Sequence, residues 1–324
     1  MRHRPFGTTG ISVSELGLGL WSLVSEEWGG DIDKAEEVVR RAFDLGITFF
    51  DTADVYGEGK GEEVIARALG TKRDKIVILT KVGLDFHHKQ GGRVRLNFDL
   101  DYLRYAVEQS LKRLNTDYID ILMLHNPKMR NIEDRKVFEF MESLRRDGIA
   151  RSVGVALGPT LGWLEEGLKA IEVGYQGLEF IFNFIEQEPG RTFDKHNVGK
   201  VVRVPHASDV LDEERNPLAF DPKLHRRFKD SGWIRRAMKA VEPIKELAYR
   251  KGLKLYEVAI LYVLKYNFSS VVPNIAGLRD LERFVDALSK DLDEELMNQI
   301  QAVYEASLKE LNEESVKETL AYKI

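Results

Sequence analysis

Short apolar runs rich in β-branched residues alternate with longer amphipathic segments along almost the whole chain. The runs are Leu16 to Leu20, Ile47 to Asp51, Ile76 to Lys81, Ile119 to His125, Ser152 to Ala156, Leu178 to Asn183, Lys200 to Val204 and Val271 to Pro273. Most are apolar at consecutive positions, the mark of parallel strands buried on both faces. Between them the spacing predicts helices over Asp33 to Leu45, Gly61 to Leu69, Asp101 to Leu114, Glu133 to Asp147, Leu161 to Glu172, Ile234 to Lys251, Leu255 to Tyr266 and Arg279 to Leu288. Asp33 and Asp101 are placed to cap helix amides, and Gly46 and Gly252 to take the left-handed conformation that ends a helix. Eight strands alternating with helices predict an α/β fold, a closed (β/α)8 TIM barrel; an open doubly wound sheet is the rival arrangement.

The expected organisation is one barrel domain over residues 1–324. Residues 1–15, with Gly7 and the Thr9-Gly10 turn, read as an N-terminal β-hairpin that plugs the barrel floor. Between Gln187 and Val198 there is room for only a stunted sixth helix. Residues 205–232 lack clear periodicity and read as a lid or insertion, and 293–324 as one further helix and a tail, a C-terminal helical extension.

Composition removes several chemistries. There is no cysteine, so no disulfide framework, thiol nucleophile or thiolate metal site. No His-x-His or His-Glu-x-x-His spacing points to a metal, and none is expected. A net charge of −5 with interspersed signs offers no basic stripe for nucleic acid. The longest apolar stretch, Val258 to Leu264, falls far short of the roughly 18 residues that cross a bilayer. Met1-Arg-His-Arg-Pro5 lacks the apolar run of a secretory signal, so the expectation is a soluble, cytoplasmic protein without membrane or nucleic-acid partners. Oligomeric state is not legible.

In such a barrel, reactive groups belong at the C-terminal ends of strands and in the loops just after them. Three neighbouring strands end in Asp51, Lys81 and His125, and the loop after Asp51 presents Tyr56. Singly, each has a structural reading: a turn-forming aspartate, a packed tyrosine, a strand-end histidine. Lys81 is different, because an ammonium closing an apolar strand loses hydration unless it meets a counter-charge, and Asp51 is the nearest candidate. Together the four are chemically coherent. An ammonium beside a phenol favours the phenolate and is expected to lower the tyrosine pKa from about 10. Asp51 would hold Lys81 charged, His125 would orient a carbonyl oxygen, and Tyr56 would deliver a proton. Only a source of electrons is missing.

The segments Phe6-Gly-Thr-Thr-Gly-Ile-Ser-Val-Ser-Glu-Leu-Gly-Leu-Gly-Leu-Trp21, Phe50-Asp-Thr-Ala-Asp-Val-Tyr-Gly57, Leu79-Thr-Lys-Val82, Ile121-Leu-Met-Leu-His125 and Phe182-Asn183 resemble the aldo-keto reductases. The resemblance implies a (β/α)8 barrel and hydride supplied by a nicotinamide cofactor, NADPH or alternatively NADH, to an aldehyde or ketone. It assigns Tyr56 as proton donor, Lys81 as its pKa modulator, Asp51 as the lysine's partner and His125 as the carbonyl-orienting group. Cofactor contacts carried over are Gly19, Trp21, Asp51, Glu179, Arg203, Pro205, Ser208, Asn274, Arg279 and Arg283.

Several positions depart from the family pattern. Gly154-Val155-Ala156-Leu157 stands where Gly-Val-Ser-Asn is usual, Glu179 replaces a glutamine, and Arg203 replaces an aromatic that stacks on nicotinamide. The loop His206 to Glu214 carries carboxylates where relatives bind a pyrophosphate. Arg279 and Arg283, at a helix start, stand where the adenosine phosphate of NADPH binds. Trp21, Trp28 and Phe86 are expected to wall an apolar substrate pocket. Two other functions fit parts of the pattern: a barrel hydrolase with Asp51 and Glu179 as paired acids, and a nucleotide-sensing barrel without turnover.

Overall fold

The computed structural model describes residues 1–25, 30–90, 93–219 and 229–319. Its centre is a sheet of eight parallel strands: β3 (Leu18–Gly19), β4 (Phe49–Asp51), β5 (Val77–Val82), β8 (Ile119–His125), β9 (Ala150–Ala156), β10 (Gly177–Ile181), β11 (Gly199–Arg203) and β12 (Ser270–Val272), adjacent in that order. Backbone bonds from Gly17 to the Val271 carbonyl and from Val271 to the Glu15 carbonyl, each 2.9 Å, bring the first edge to the last. A helix or helices follow each strand, giving the (β/α)8 barrel.

Strand parity creates two cores. Phe49, Val77, Leu79, Ile121, Met123, Val201 and Val272 point into the barrel, where they meet Phe6, Ile11 and Val13. Their neighbours Phe50, Ile78, Leu122, Leu124, Val153, Val155 and Val202 point outward beneath the helices. Because side chains alternate with period two, the inward set continues at the strand tops through Asp51, Lys81, His125, Glu179 and Arg203. The pairings Asp51 with Leu79, Lys81 with Met123 and His125 with Ala156 hold these polar ends near one level.

The floor is closed as expected by an antiparallel hairpin of β1 (His3–Pro5) and β2 (Ser12–Ser14). Its Phe6 fills the barrel base against the first residues of β10 and β11. A Cβ on Gly199 would lie 2.3 Å from the Phe6 ring and one on Gly177 2.5 Å from it, so glycine at both places is a packing requirement.

Helix Ile32–Asp44 buries Ala35, Val38, Val39 and Ala42, one stripe of its surface. Its cap is Asp31, whose side chain accepts from the amides of Asp33 and Lys34, and not Asp33 as the sequence suggested. Helix Leu100–Leu114 likewise has Asp99 at its cap position, while Asp101 pairs with Arg104. Gly46 and Gly252 do take positive φ, 91° and 72°. The sixth helix is indeed stunted, Gly190–Asp194.

One expectation needs correction, and two features go beyond the sequence reading. The segment after β5 is a second hairpin, β6 (Leu84–Gln90) and β7 (Arg93–Leu96), standing beyond the barrel's C-terminal end. The C-terminal extension holds two helices, Glu294–Val303 and Lys309–Glu318, where one was expected. They are joined by a wider turn over Tyr304–Leu308 and fastened by Trp233 Nε1 donating to the Leu311 carbonyl and Gly162 N to Thr319 Oγ1. Residues 205–219 form consecutive turns on the barrel, tied down by ion pairs described below. Among the described residues no helix is long and apolar enough to cross a membrane.

Candidate active site

The strand tops open into a cavity of about 930 Å³. Asp51, Tyr56, His125, Glu179 and Arg203 lie on its floor; Trp21, Leu84, Phe86 and Val94 wall one side; Pro205, Ser208, Asp209, Pro273 and Asn274 lie on the other. Leu84, Phe86 and Val94 come from the β6–β7 hairpin, which the sequence reading did not foresee. Trp28 lies outside the described residues.

Lys81 is wholly buried beneath this floor. Its ammonium donates to Asp51 Oδ1, to the Thr52 carbonyl at 3.1 Å and to the Tyr56 hydroxyl at 3.4 Å. These contacts use all three N–H groups. Glu179 Oε2, 3.1 Å away, is therefore held by charge attraction while receiving no hydrogen bond. Arg203 approaches the other Glu179 oxygen at 3.5 Å and donates to the carbonyls of Leu157 and Gly158. The Lys81–Asp51 pair foreseen from topology is present, and Glu179 joins it as a second carboxylate.

That second carboxylate changes the electrostatics. Burial and the Glu179 charge push Asp51 up to about 7, against the pull of Lys81. Tyr56 was expected to fall below its usual value; it is pushed up to about 12. Burial is the main cause, and Asp51 and Glu179 offset the help that Lys81 gives the phenolate. The phenol is thus protonated at neutral pH. Burial and the nearby Lys81 and Arg203 charges hold His125 well below its ordinary range, so its imidazole is neutral. The His125 ring meets Tyr56 edge-on at 5.8 Å, and Trp21 lies 6.3 Å from Tyr56. A neutral phenol and a neutral imidazole side by side can both donate to one oxygen entering from the cavity.

The polar side of the cavity has its own framework. Val204, Ala207, Ser208 and Asp209 all take positive φ, between 47° and 71°, a run that non-glycine residues seldom adopt. The carboxylates expected to repel a diphosphate mostly turn away. Glu213 accepts from the amides of Leu255 and Tyr256, and Glu214 pairs with Lys254 and Arg279. Asp212 pairs with Arg283. Asp209 alone of these lines the cavity. Arg279 and Arg283, by contrast, are not on the cavity wall, and both are engaged by this chain's own carboxylates.

His206, in the same loop, is buried, stacks on Phe284 at 4.8 Å and lies 3.3 Å from the Tyr256 carbonyl. Burial lowers it to about 4. The unfolded chain therefore binds a proton between about pH 6.5 and 4 that the native state refuses. Stability is full above that window and drains away as pH falls through it, by about 3 kcal/mol from this group. His206→Gln should flatten the acid limb of stability measured by urea unfolding; an unchanged slope would assign that limb to other groups.

The parallel barrel thus carries a buried lysine, two carboxylates, a tyrosine and a histidine at its C-terminal mouth. Residues 15–305 match the sequence profile of the Aldo/keto reductase family, and the chain belongs to that family, whose general chemistry is nicotinamide-dependent carbonyl reduction. It is 28% identical over 313 residues to the uncharacterized oxidoreductase YqkF of Bacillus subtilis, covering 93% of this chain and 96% of the relative. Among solved structures it is similar to aldo-keto reductase AKR11C1 from Bacillus halodurans in its holo form, with TM-score 0.76, 26% identity, and 94% and 96% of the two chains covered. The glycerol dehydrogenase AKR11B4 from Gluconobacter oxydans shares the fold at TM-score 0.79 and 23% identity, over 94% and 95%.

Proposed function

We propose that this protein reduces a small aldehyde or ketone to the alcohol with a reduced nicotinamide cofactor, Tyr56 being the proton donor. The observation that carries the reading is the convergence on one cavity floor of a protonated Tyr56, a neutral His125 and a Lys81 charge-balanced by Asp51.

The residues present fit a nicotinamide at this floor. Glu179 Oε2 is buried and takes no hydrogen bond, so it can accept from a carboxamide amine, and Gly19, Trp21, Arg203, Pro205, Ser208 and Asn274 border the same space. The bound cofactor would supply the hydride. Everything else is work for the chain. His125 and Tyr56 fix the carbonyl oxygen, and as negative charge grows there the phenol releases its proton to it. The transfer is downhill, because an aliphatic alcohol is a far weaker acid than a phenol, even one raised to about 12. Lys81 keeps the phenol oxygen in place and softens the charge left on it, while Asp51 keeps Lys81 fixed. Trp21, Leu84, Phe86 and Val94 offer an apolar wall that suits the hydrocarbon part of a substrate.

Two rivals are less well supported. Asp51 and Glu179 both address one ammonium, which leaves neither poised to pass protons across a glycosidic bond. A sensor without turnover has no need of a complete proton-donor set. The test is loss of reduced-nicotinamide absorbance when the purified protein meets a panel of small aldehydes and ketones. Turnover above the protein-free rate is expected; binding of cofactor without turnover on any of them would favour the sensor.

A further inference from the structure

Asp54 lies in the loop that presents Tyr56 and has no part in the chemistry above. It is 1% exposed, and neither of its carboxyl oxygens finds a hydrogen-bond partner among the described residues. The acids around it are better served. Glu62, fully buried on helix Lys60–Leu69, accepts from Arg113 Nε at 2.7 Å and from Thr80 Oγ1 at 2.6 Å. Asp85, on β6 and equally buried, accepts from the side chains of Arg95 and Asn97 and from the amides of His87 and His88. Both acids act on Asp54 as like charges, and Arg113 opposes them. Yet the Arg113 guanidinium is turned to Glu62 and Ser110, and the Lys81 ammonium to Asp51, Thr52 and Tyr56. Tyr102, on the same helix as Arg113, adds a buried hydroxyl without a partner. Burial first, and then the Glu62 charge, push the Asp54 carboxyl well above the ordinary range.

We infer that Asp54 is carried as a neutral acid and is a positioning residue for Tyr56, the loop holding its working shape only while that proton is kept. The inference rests on the functional reading above. An ionised carboxylate is purely an acceptor, and burying one without donors is so costly that the group keeps its proton instead. The loop is stitched to β5 by its backbone: the Thr52 amide donates to the Leu79 carbonyl at 2.8 Å and the Asp54 amide to the Lys81 carbonyl at 3.1 Å. Tyr56, two residues further on, then meets the Lys81 ammonium at 3.4 Å. A proton lost from Asp54 leaves a buried charge beside Glu62 and Asp85. The side chain sheds that cost only by moving to water, which draws its amide off β5 and Tyr56 off Lys81. The site thus shuts down in alkali without any titration of Tyr56, which stands at about 12.

Asp54→Asn keeps the shape of the side chain and fixes it in a neutral form, so it separates this role from that of an ion-pair partner. A carboxyl raised in the native state must take up a proton on folding, so the wild type gives up stability to this group as pH climbs above about 4, and the variant does not. In thermal melting of the full chain, Asp54→Asn should be the more stable at about pH 8, by about 2 °C or more, with the gap closing toward about pH 4. An ionised Asp54 paired with Arg113 predicts the opposite sign. In the pH profile of kcat/KM for a small aldehyde, the wild type should show a reversible alkaline limb that steepens to about tenfold per unit, and Asp54→Asn should lose that limb. A variant less stable than wild type at about pH 8, or one that fails to fold, overturns the inference and leaves carbonyl reduction standing. So does an alkaline limb that is absent from the wild type or unchanged in the variant. If neither protein reduces any carbonyl at neutral pH, the functional reading falls and takes the positioning role with it.

Discussion

Replacing Tyr56 by phenylalanine is expected to lower the rate of carbonyl reduction by about 10²–10⁴-fold, the range usual for loss of a positioned proton donor. Cofactor affinity should stay within a few-fold, because the lost hydroxyl works on charge that develops only in the transition state. The fall should appear in kcat and kcat/KM alike. Stability should change little: the substitution leaves one N–H of Lys81 without the phenol, and Asp51 and the Thr52 carbonyl still hold it. The pH profile gives a second handle. With Tyr56 at about 12, its proton is retained well past its ordinary value near 10, so kcat/KM should not decline at mildly alkaline pH through this group. Equal turnover by mutant and wild type would remove the donor role. A decline centred near 10 that vanishes in Tyr56→Phe would show that the two carboxylates oppose the phenolate less than their proximity suggests.

The cluster at the strand tops was legible for a simple reason. Strand alternation puts Leu79 and Lys81, Met123 and His125, Phe49 and Asp51 on the same inward side, so an apolar run ending in a polar residue announces a side chain delivered to the barrel mouth. Tyr56 follows because it sits in the loop directly beyond such a residue. The sign of its pKa shift was not legible. The sequence displays one ammonium beside it, whereas the fold buries the phenol, the main cause of its rise, and brings Glu179 across the barrel from β10 to add a second negative charge. Sequence neighbours could not report that distance.

The β6–β7 hairpin escaped for a different reason. Leu84 to Leu96 mixes Phe86, Val94 and Leu96 with His87, His88, Lys89 and Arg95, and neither a helical nor a clean alternating period survives. Its order comes from Asp85, which is buried and accepts from the amides of His87 and His88 and from the side chains of Arg95 and Asn97. One aspartate organising a loop leaves no periodic signal. The ion pairs around Arg215 were hidden in the same way, since Asp209, Asp212 and Arg215 are adjacent in sequence but their partners Asp280 and Arg283 arrive from beyond the last strand.

Lys81→Met separates the two duties of the lysine. Asp51 and Glu179 are both buried and both depend on this ammonium, so its removal leaves Asp51 without a counter-charge and Glu179 with Arg203 alone, at 3.5 Å. Breaking a buried pair in this manner costs about 3–5 kcal/mol. The loss should depend on pH with a definite sign. Without the ammonium, Asp51, already raised to about 7 in the wild type, rises further, and a carboxylate raised in the native state stabilises it only while protonated. The deficit relative to wild type should therefore be smallest in mild acid and grow as pH climbs through neutrality, as urea unfolding at about pH 5 and about pH 9 would measure. Adding Asp51→Asn to Lys81→Met should recover part of the stability at the higher pH, because only Glu179 then remains charged, while reduction stays slow since Tyr56 has still lost the ammonium beside its oxygen. If the single variant is as stable as wild type at both values, the carboxylates are relieved by another group, and Lys81 owes its place to Tyr56 alone.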